Sequence, residues 1–298
     1  MKGLILGLVC VAGAAAVPML GNPYYTGVIF QLAMWIALAQ SWSMLSATTG
    51  YLSLGHAVFY GIGAYVCVLL TGSVPFAVTL IAGALAAGIF AAAIGLPVLR
   101  VRGPYFVILT YGLSELVRHV VMRIESALGS FGRMIFIVPP IEVLMWCMLG
   151  LATLACLGAW AIRHSTFGAG LSAIREDEVA AETVGVPVTR LKLLAFVASA
   201  IIPGAVGGLA LLRTSYFEPG QAFDPVISFT IVTMALVGGT ETVRGPILGA
   251  VALTLLSELL WSNLPQLYMV VLGSTLIGFI LFVPRGVSGL VDQIAGRR

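Results

Sequence analysis

Residues 173–185 read AIREDEVAAETVG, and five of these thirteen are charged, whereas charged residues make up only 9% of the 298-residue chain. That contrast decides the fold, because the sequence on either side is apolar. Hydrophobic residues account for 60% of the chain, and mean hydropathy is +1.07. A soluble domain needs more charge than this to cover its surface. Several runs approach or exceed the roughly 20 apolar residues that span a bilayer. The composition predicts an all-α, polytopic membrane protein, one transmembrane domain over residues 1–298 set in a lipid bilayer. The 35 glycines suit close approach of membrane helices.

Apolar windows run over 3–20, 24–47, 52–71, 74–98, 104–122, 142–162, 191–212, 225–239, 245–261 and 266–283. They predict about ten spans, some of them broken or short. Window 52–71 holds Gly55, His56, Gly61 and Gly63, with Ser53 just ahead; window 225–239 follows Pro225 and ends at Gly238 and Gly239. Interrupted spans often line a path rather than face lipid. Ser53, Gly55, His56, Gly61, Gly63, Gly238 and Gly239 are therefore candidate translocation-path residues. Glu115 joins them as a carboxylate within an apolar window. Each also has a structural reading: the glycines as close-packing sites, His56 as a hydrogen-bonded core histidine, and Glu115 as the ion-pair partner of Arg118.

Lys2, Arg100, Arg102, the 163–192 segment, Arg244, Arg285, Arg297 and Arg298 can share one side if there are ten spans. That places the charged stretch and both termini in the cytoplasm, with Arg118, Arg123, Arg133 and Arg213 as exceptions. Lys2, an apolar run and Ala14–Ala16 fit either a retained first helix or a secretory signal; the many spans that follow favour retention.

Several function classes drop out. The sequence has no GxxxxGK[ST] loop for ATP, no HExxH, no GxSxG and no Cys/His cluster. Cys10, Cys67, Cys147 and Cys156 lie inside apolar runs without CxxC spacing. A net charge of +3 is too small to argue for nucleic acid. No catalytic residue, metal site or cofactor is expected in this chain, and it does not read as an enzyme.

Segment 163–192 carries eight of the 27 charged residues: Arg163, Arg175, Glu176, Asp177, Glu178, Glu182, Arg190 and Lys192. Ser165 and Thr166 suit a helix start, Gly185 a helix end, and Pro187 discourages continuation. The expectation is one helix over 171–184, about fourteen residues and roughly 21 Å long. On it Ala173, Ala180, Ala181 and Val184 share a small apolar face, while Glu178 and Glu182 stack one turn apart. Such a helix suits docking of a basic partner surface, and it also suits a plain solvated loop.

The segment STFGAGLSAIREDEVAAETVGVPVTRLKLLAF, 165–196, resembles the cytoplasmic coupling segment of LivM-type permeases, membrane subunits of ABC importers for branched-chain amino acids. The likeness extends to GYLSLGH at 50–56, GIGAY at 61–65, GPYF at 103–106, ELVR at 115–118, VGG at 237–239, RGPILGA at 244–250 and FVPRG at 282–286. The looser EAA-xxx-Gly pattern of importer permeases is met by Ala180, Ala181 and Gly185, but Val179 holds the glutamate's place and Glu178 lies one residue earlier. The resemblance implies a bacterial inner-membrane permease for Leu, Ile and Val, fed by a periplasmic amino-acid-binding protein. It implies a second, LivH-type permease subunit and two ABC ATPase subunits as partners. It also implies that Arg175, Glu176, Asp177, Glu178, Ala180, Ala181, Glu182 and Gly185, within a coupling segment at 165–190, meet the ATPases. Related permeases serve urea, amides or other amino acids, and an ion-coupled secondary transporter is the alternative class.

A faint internal echo sets Gly103-Pro104 and Ser114-Glu115-Leu116 against Gly245-Pro246 and Ser257-Glu258-Leu259. Two halves built on one plan, or chance in so apolar a sequence, would produce it.

Overall fold

The structure is a computed structural model that describes residues 11–20, 22–129, 132–263 and 273–274. Its helices are α1 (Pro23–Thr49), α2 (His56–Leu70), α3 (Phe76–Val98), α4 (Pro104–Ala127), α5 (Ile141–Arg163), α6 (Thr166–Glu176), α7 (Glu178–Thr183), α8 (Val188–Thr214), α9 (Pro219–Ala222), α10 (Pro225–Gly238) and α11 (Arg244–Asn263). Two short strands, β1 (Arg133–Met134) and β2 (Tyr216–Phe217), pair antiparallel. The all-α expectation holds.

The expected count of about ten spans is not met among the described residues. Six helical segments are long and apolar enough to cross a membrane: α1, α3, α4, α5, α8, and α9 with α10 taken together. Window 52–71 yields only the fifteen-residue α2, because its first residues are not helical. Window 3–20 lies partly, and window 266–283 almost wholly, outside the described residues.

Two pieces of the bundle repeat with opposite direction. Helices α1 and α8 are each 27 residues long and antiparallel, and both end in a left-handed cap, Gly50 at φ 76° and Ser215 at φ 56°. Glycine adopts that conformation freely; Ser215 is held there while its carbonyl accepts from Ile135 N at 3.0 Å, beside the β1–β2 pairing. After the first cap the chain returns without helix through residues 50–55, and after the second it passes through β2 and the four-residue α9; each return then leads into a half-length helix, α2 with 15 residues and α10 with 14. Packing follows suit, with α8 against α2 and α3, and α1 against α10 and α11. The Gly-Pro echo falls at the starts of α4 and α11.

The return segment 50–55 runs back beside the last turns of α1. Trp42 Nε1 donates to Ser53 O at 2.9 Å, and Ser53 N reaches Ser46 Oγ at 3.5 Å. With its backbone groups satisfied by side chains, an irregular stretch can sit inside a membrane protein. The two half-helices meet start to start: Ala57 N, in the first turn of α2, donates to Ser228 Oγ, in the first turn of α10, at 2.8 Å.

Gly61 and Gly63 lie within α2, not in an unwound stretch. A Cβ on Gly63 would strike the Gly204 backbone of α8, and one on Gly61 the Phe223 ring. The core spreads from these contacts through Trp42, Phe30, Met145 and Leu209 on one side and Phe59, Phe106 and Phe196 on the other.

Arg133 and Arg213 lie at the end of the bundle opposite the charged segment. Arg133 pairs with Glu125 at 2.8 Å and Arg213 sits over the Phe30 ring at 4.9 Å. Local partners account for positive charge at the less basic end.

Candidate functional site

The charged segment does not form one helix. α6 stops at Glu176, Asp177 is extended (φ −157°, ψ 114°), and α7 starts at Glu178. Asp177 causes the break by accepting from Val179 N at 2.8 Å and Ala180 N at 3.0 Å. A side-chain cap of this kind offers the backbone an alternative to continuous helix. Ser165 caps α6 through Gly168 N, as its sequence position suggested.

The break changes which residues face inward. Leu171, Ile174 and Ala181 are buried, whereas Val184 is 79% and Val179 59% exposed. The expected apolar face of Ala173, Ala180, Ala181 and Val184 is thus split: Ala181 is in, Ala180 and Val184 are out. Glu176, Asp177, Glu182 and Gly185 are exposed. Arg175 also reaches outward but anchors the end of α1, donating from Nη1 to Ala47 O at 2.9 Å. A basic side chain satisfying the last carbonyls of a helix is favourable.

Glu178 turns inward, away from Glu182. Its Oε2 accepts from the Tyr51 hydroxyl at 2.6 Å, and its Oε1 pairs with Lys192 Nζ at 2.7 Å and Arg102 Nη2 at 3.1 Å. Lys192 uses its three donors on Glu178, Tyr51 Oη (3.1 Å) and Leu99 O (3.2 Å). Burial works to raise the Glu178 pKa. Hydrogen bonds from Lys192 and Tyr51, and the charges of Lys192 and Arg102, outweigh it and hold the carboxyl below its ordinary range. Hydrogen bonds to charged groups contribute about 1.5–3 kcal/mol each. This cluster ties α7 to the starts of α4 and α8 and to the return segment.

Tyr51, Arg102 and Lys192 were not singled out from sequence for this role. Lys192, the last charge before the long apolar run of the helix that follows Pro187, is the one signal that could have found the cluster.

An open cleft of about 450 Å³ lies between α6 and the link from α7 to α8, lined by Thr166, Phe167, Gly170, Val184, Pro187 and Leu191. A second cleft of about 140 Å³ lies against α2, α8 and the β2–α9 stretch, lined by Tyr60, Ala64, Gly207, Thr214, Tyr216 and Glu218.

The candidate path residues do not converge on either cleft. Ser53, Gly55 and His56 are buried at the start of α2. Neither His56 ring nitrogen has a hydrogen-bond partner among the described residues, and the ring is set edge-on to Phe59 at 5.9 Å. Glu115 lies on α4 and pairs with Arg118 Nη1 at 3.6 Å and His119 Nδ1 at 3.5 Å. Gly238 ends α10 against Gly245 and Gly249 of α11, and Gly239 is its cap at φ 95°. No group of three or more His, Cys, Asp or Glu side chains able to hold a metal occurs among the described residues.

Six helical segments long and apolar enough to cross a membrane, with a charged segment anchored at one end, define a multi-pass membrane protein. Residues 24–281 match the family described as branched-chain amino acid transport system / permease component, and the chain belongs to that family of ABC permeases. It is similar to the high-affinity branched-chain amino acid transport system permease protein LivM of Salmonella typhimurium, at 26% identity over 85% of this chain and 67% of the relative. The LivM of Escherichia coli K12 matches at the same identity and coverage. A probable LivH permease of Methanocaldococcus jannaschii is 25% identical over 66% of this chain and 62% of its own length. No solved structure matches the chain.

Proposed function

We propose that this chain is a translocating subunit of an ATP-driven importer for leucine, isoleucine and valine. A periplasmic binding protein delivers the amino acid. A second, LivH-type permease completes the path, and two ATPase subunits dock on the coupling segments from the cytoplasm of a bacterium. In this reading the chain lies in the inner membrane with both termini on the cytoplasmic face. The relatives named for branched-chain amino acid transport support the substrate class.

One observation carries the coupling reading: α7 is anchored from behind by Glu178 and Ala181 while it presents Val179, Ala180, Glu182 and Val184 outward. Exposed valines at a helical break beside an open cleft suit a protein partner better than solvent. An anchored segment can transmit a push, whereas a free loop would absorb it.

Uptake by the reconstituted complex tests the substrate. Leucine, isoleucine and valine should compete with one another, and urea or short amides should not. Uptake that collapses with the proton gradient at constant ATP would instead support an ion-coupled secondary transporter.

A further inference from the structure

We propose that Glu178 and Tyr51 form a transmission joint, through which movement of the coupling segment reaches the half-helix α2. The inference rests on the permease reading above and names the residues that carry its motion inward.

Helix α7 is a six-residue piece between two non-helical joints, Asp177 on one side and the stretch from Val184 to Pro187, with Gly185 at φ 89°, on the other. It can therefore tilt as a unit. Its inward-facing residues are Glu178 and Ala181. Glu178 is the one with hydrogen-bonding reach, and its Oε2 holds the Tyr51 hydroxyl at 2.6 Å.

Tyr51 opens the return segment, and that segment has no slack. The Tyr51 ring is set edge-on to Phe106 of α4 at 5.0 Å. Ser53 O is held by Trp42 of α1. Leu54 N donates to Thr110 Oγ1 at 3.1 Å and Leu54 O accepts from Ser114 Oγ at 3.2 Å, both on α4. Ala57 N is held by Ser228 of α10. Residues 51–57 thus touch α1, α4, α7, α8 and α10 through directed bonds, Lys192 of α8 also donating to the Tyr51 hydroxyl at 3.1 Å. A shift of Tyr51 is passed along these bonds toward the starts of α2 and α10. Those starts meet inside the bundle, where a small separation changes what the permease exposes.

The test uses the assembled importer in lipid vesicles, with loaded binding protein, and reads amino acid taken up per ATP hydrolysed. Tyr51→Phe keeps the ring on Phe106 and removes only the hydroxyl. The expected result is at least a fivefold fall in uptake per ATP, with wild-type amounts of ATPase subunits co-purifying. Tyr51→Phe with wild-type uptake per ATP overturns the joint. A proportional fall in uptake and hydrolysis, leaving the ratio unchanged, also overturns it, because support of the fold alone lowers both. Glu178→Gln, which weakens the same contact from the other side, serves if Tyr51→Phe does not assemble. Wild-type permease that retains no ATPase subunit would sink the permease reading itself, and the joint with it.

Discussion

Lys192 Nζ stands 2.7 Å from Glu178 Oε1, and their side chains are only 5% and 13% exposed. The pair joins the second turn of a long bundle helix to the first residue of a short peripheral one. Removing one member leaves the other charge without its main partner in a poorly solvated place. Breaking a buried pair in this way costs about 3–5 kcal/mol, and exposure lowers that figure. Lys192→Met should therefore cost about 2–4 kcal/mol. Thermal unfolding in detergent measures it, and an unchanged midpoint would show that the pair is not structural.

The same pair makes stability pH-dependent in a defined direction. The folded-state pKa of Glu178 lies below its ordinary value. Its contribution is thus fully present above the unfolded pKa of about 4.3 and is lost as pH falls through the lower folded value. The midpoint difference between wild type and Glu178→Gln should be flat from pH 7 to about 5 and shrink below about 4. A difference that stays constant to about pH 3 would count against the carboxylate form.

Two glycines in different surroundings give opposite expectations. A Cβ on Gly63 meets the backbone of Gly204, which cannot move aside, whereas one on Gly150 in α5 meets nothing within 4 Å. Gly63→Ala should destabilise by about 1–3 kcal/mol or block folding. Gly150→Ala should be neutral or stabilise by up to about 1 kcal/mol, because alanine favours helix. Unfolding of the two variants side by side checks the closeness of α2 and α8.

Ser228→Ala removes the acceptor for Ala57 N at the meeting of the two half-helices. An orphaned buried amide costs about 1–3 kcal/mol. Hydrogen exchange at the start of α2 should accelerate, with α5 unaffected. Equal protection in both proteins would mean that the two helix starts are not joined there.

Much of this fold could be read from hydropathy. The windows at 74–98, 104–122 and 142–162 coincide with helices to within a few residues at each end, because an apolar run and a membrane helix are nearly the same observation. The irregularity of window 52–71 was also legible, through its glycines. Their roles were not: Gly55 starts the helix while Gly61 and Gly63 pack inside it, a distinction set by Phe223 and Gly204, far along the chain. The break at Asp177 was missed because aspartate suits a helix cap and is tolerated inside an exposed helix. The inward turn of Glu178 was missed because its partners lie 127 and 14 residues away. Local periodicity does not see such pairs.

In the proposed function the outward face of α7 receives an ATPase whose cycle drives transport. The most direct measurement is ATP hydrolysis by the purified complex in lipid, with and without loaded binding protein, for wild type and for a Glu182→Lys, Val184→Asp double variant. Both residues face solvent, so the fold should tolerate the change. The variant should lose bound ATPase subunits or at least tenfold of the stimulation by binding protein. Full retention of both by the variant would contradict the proposed function.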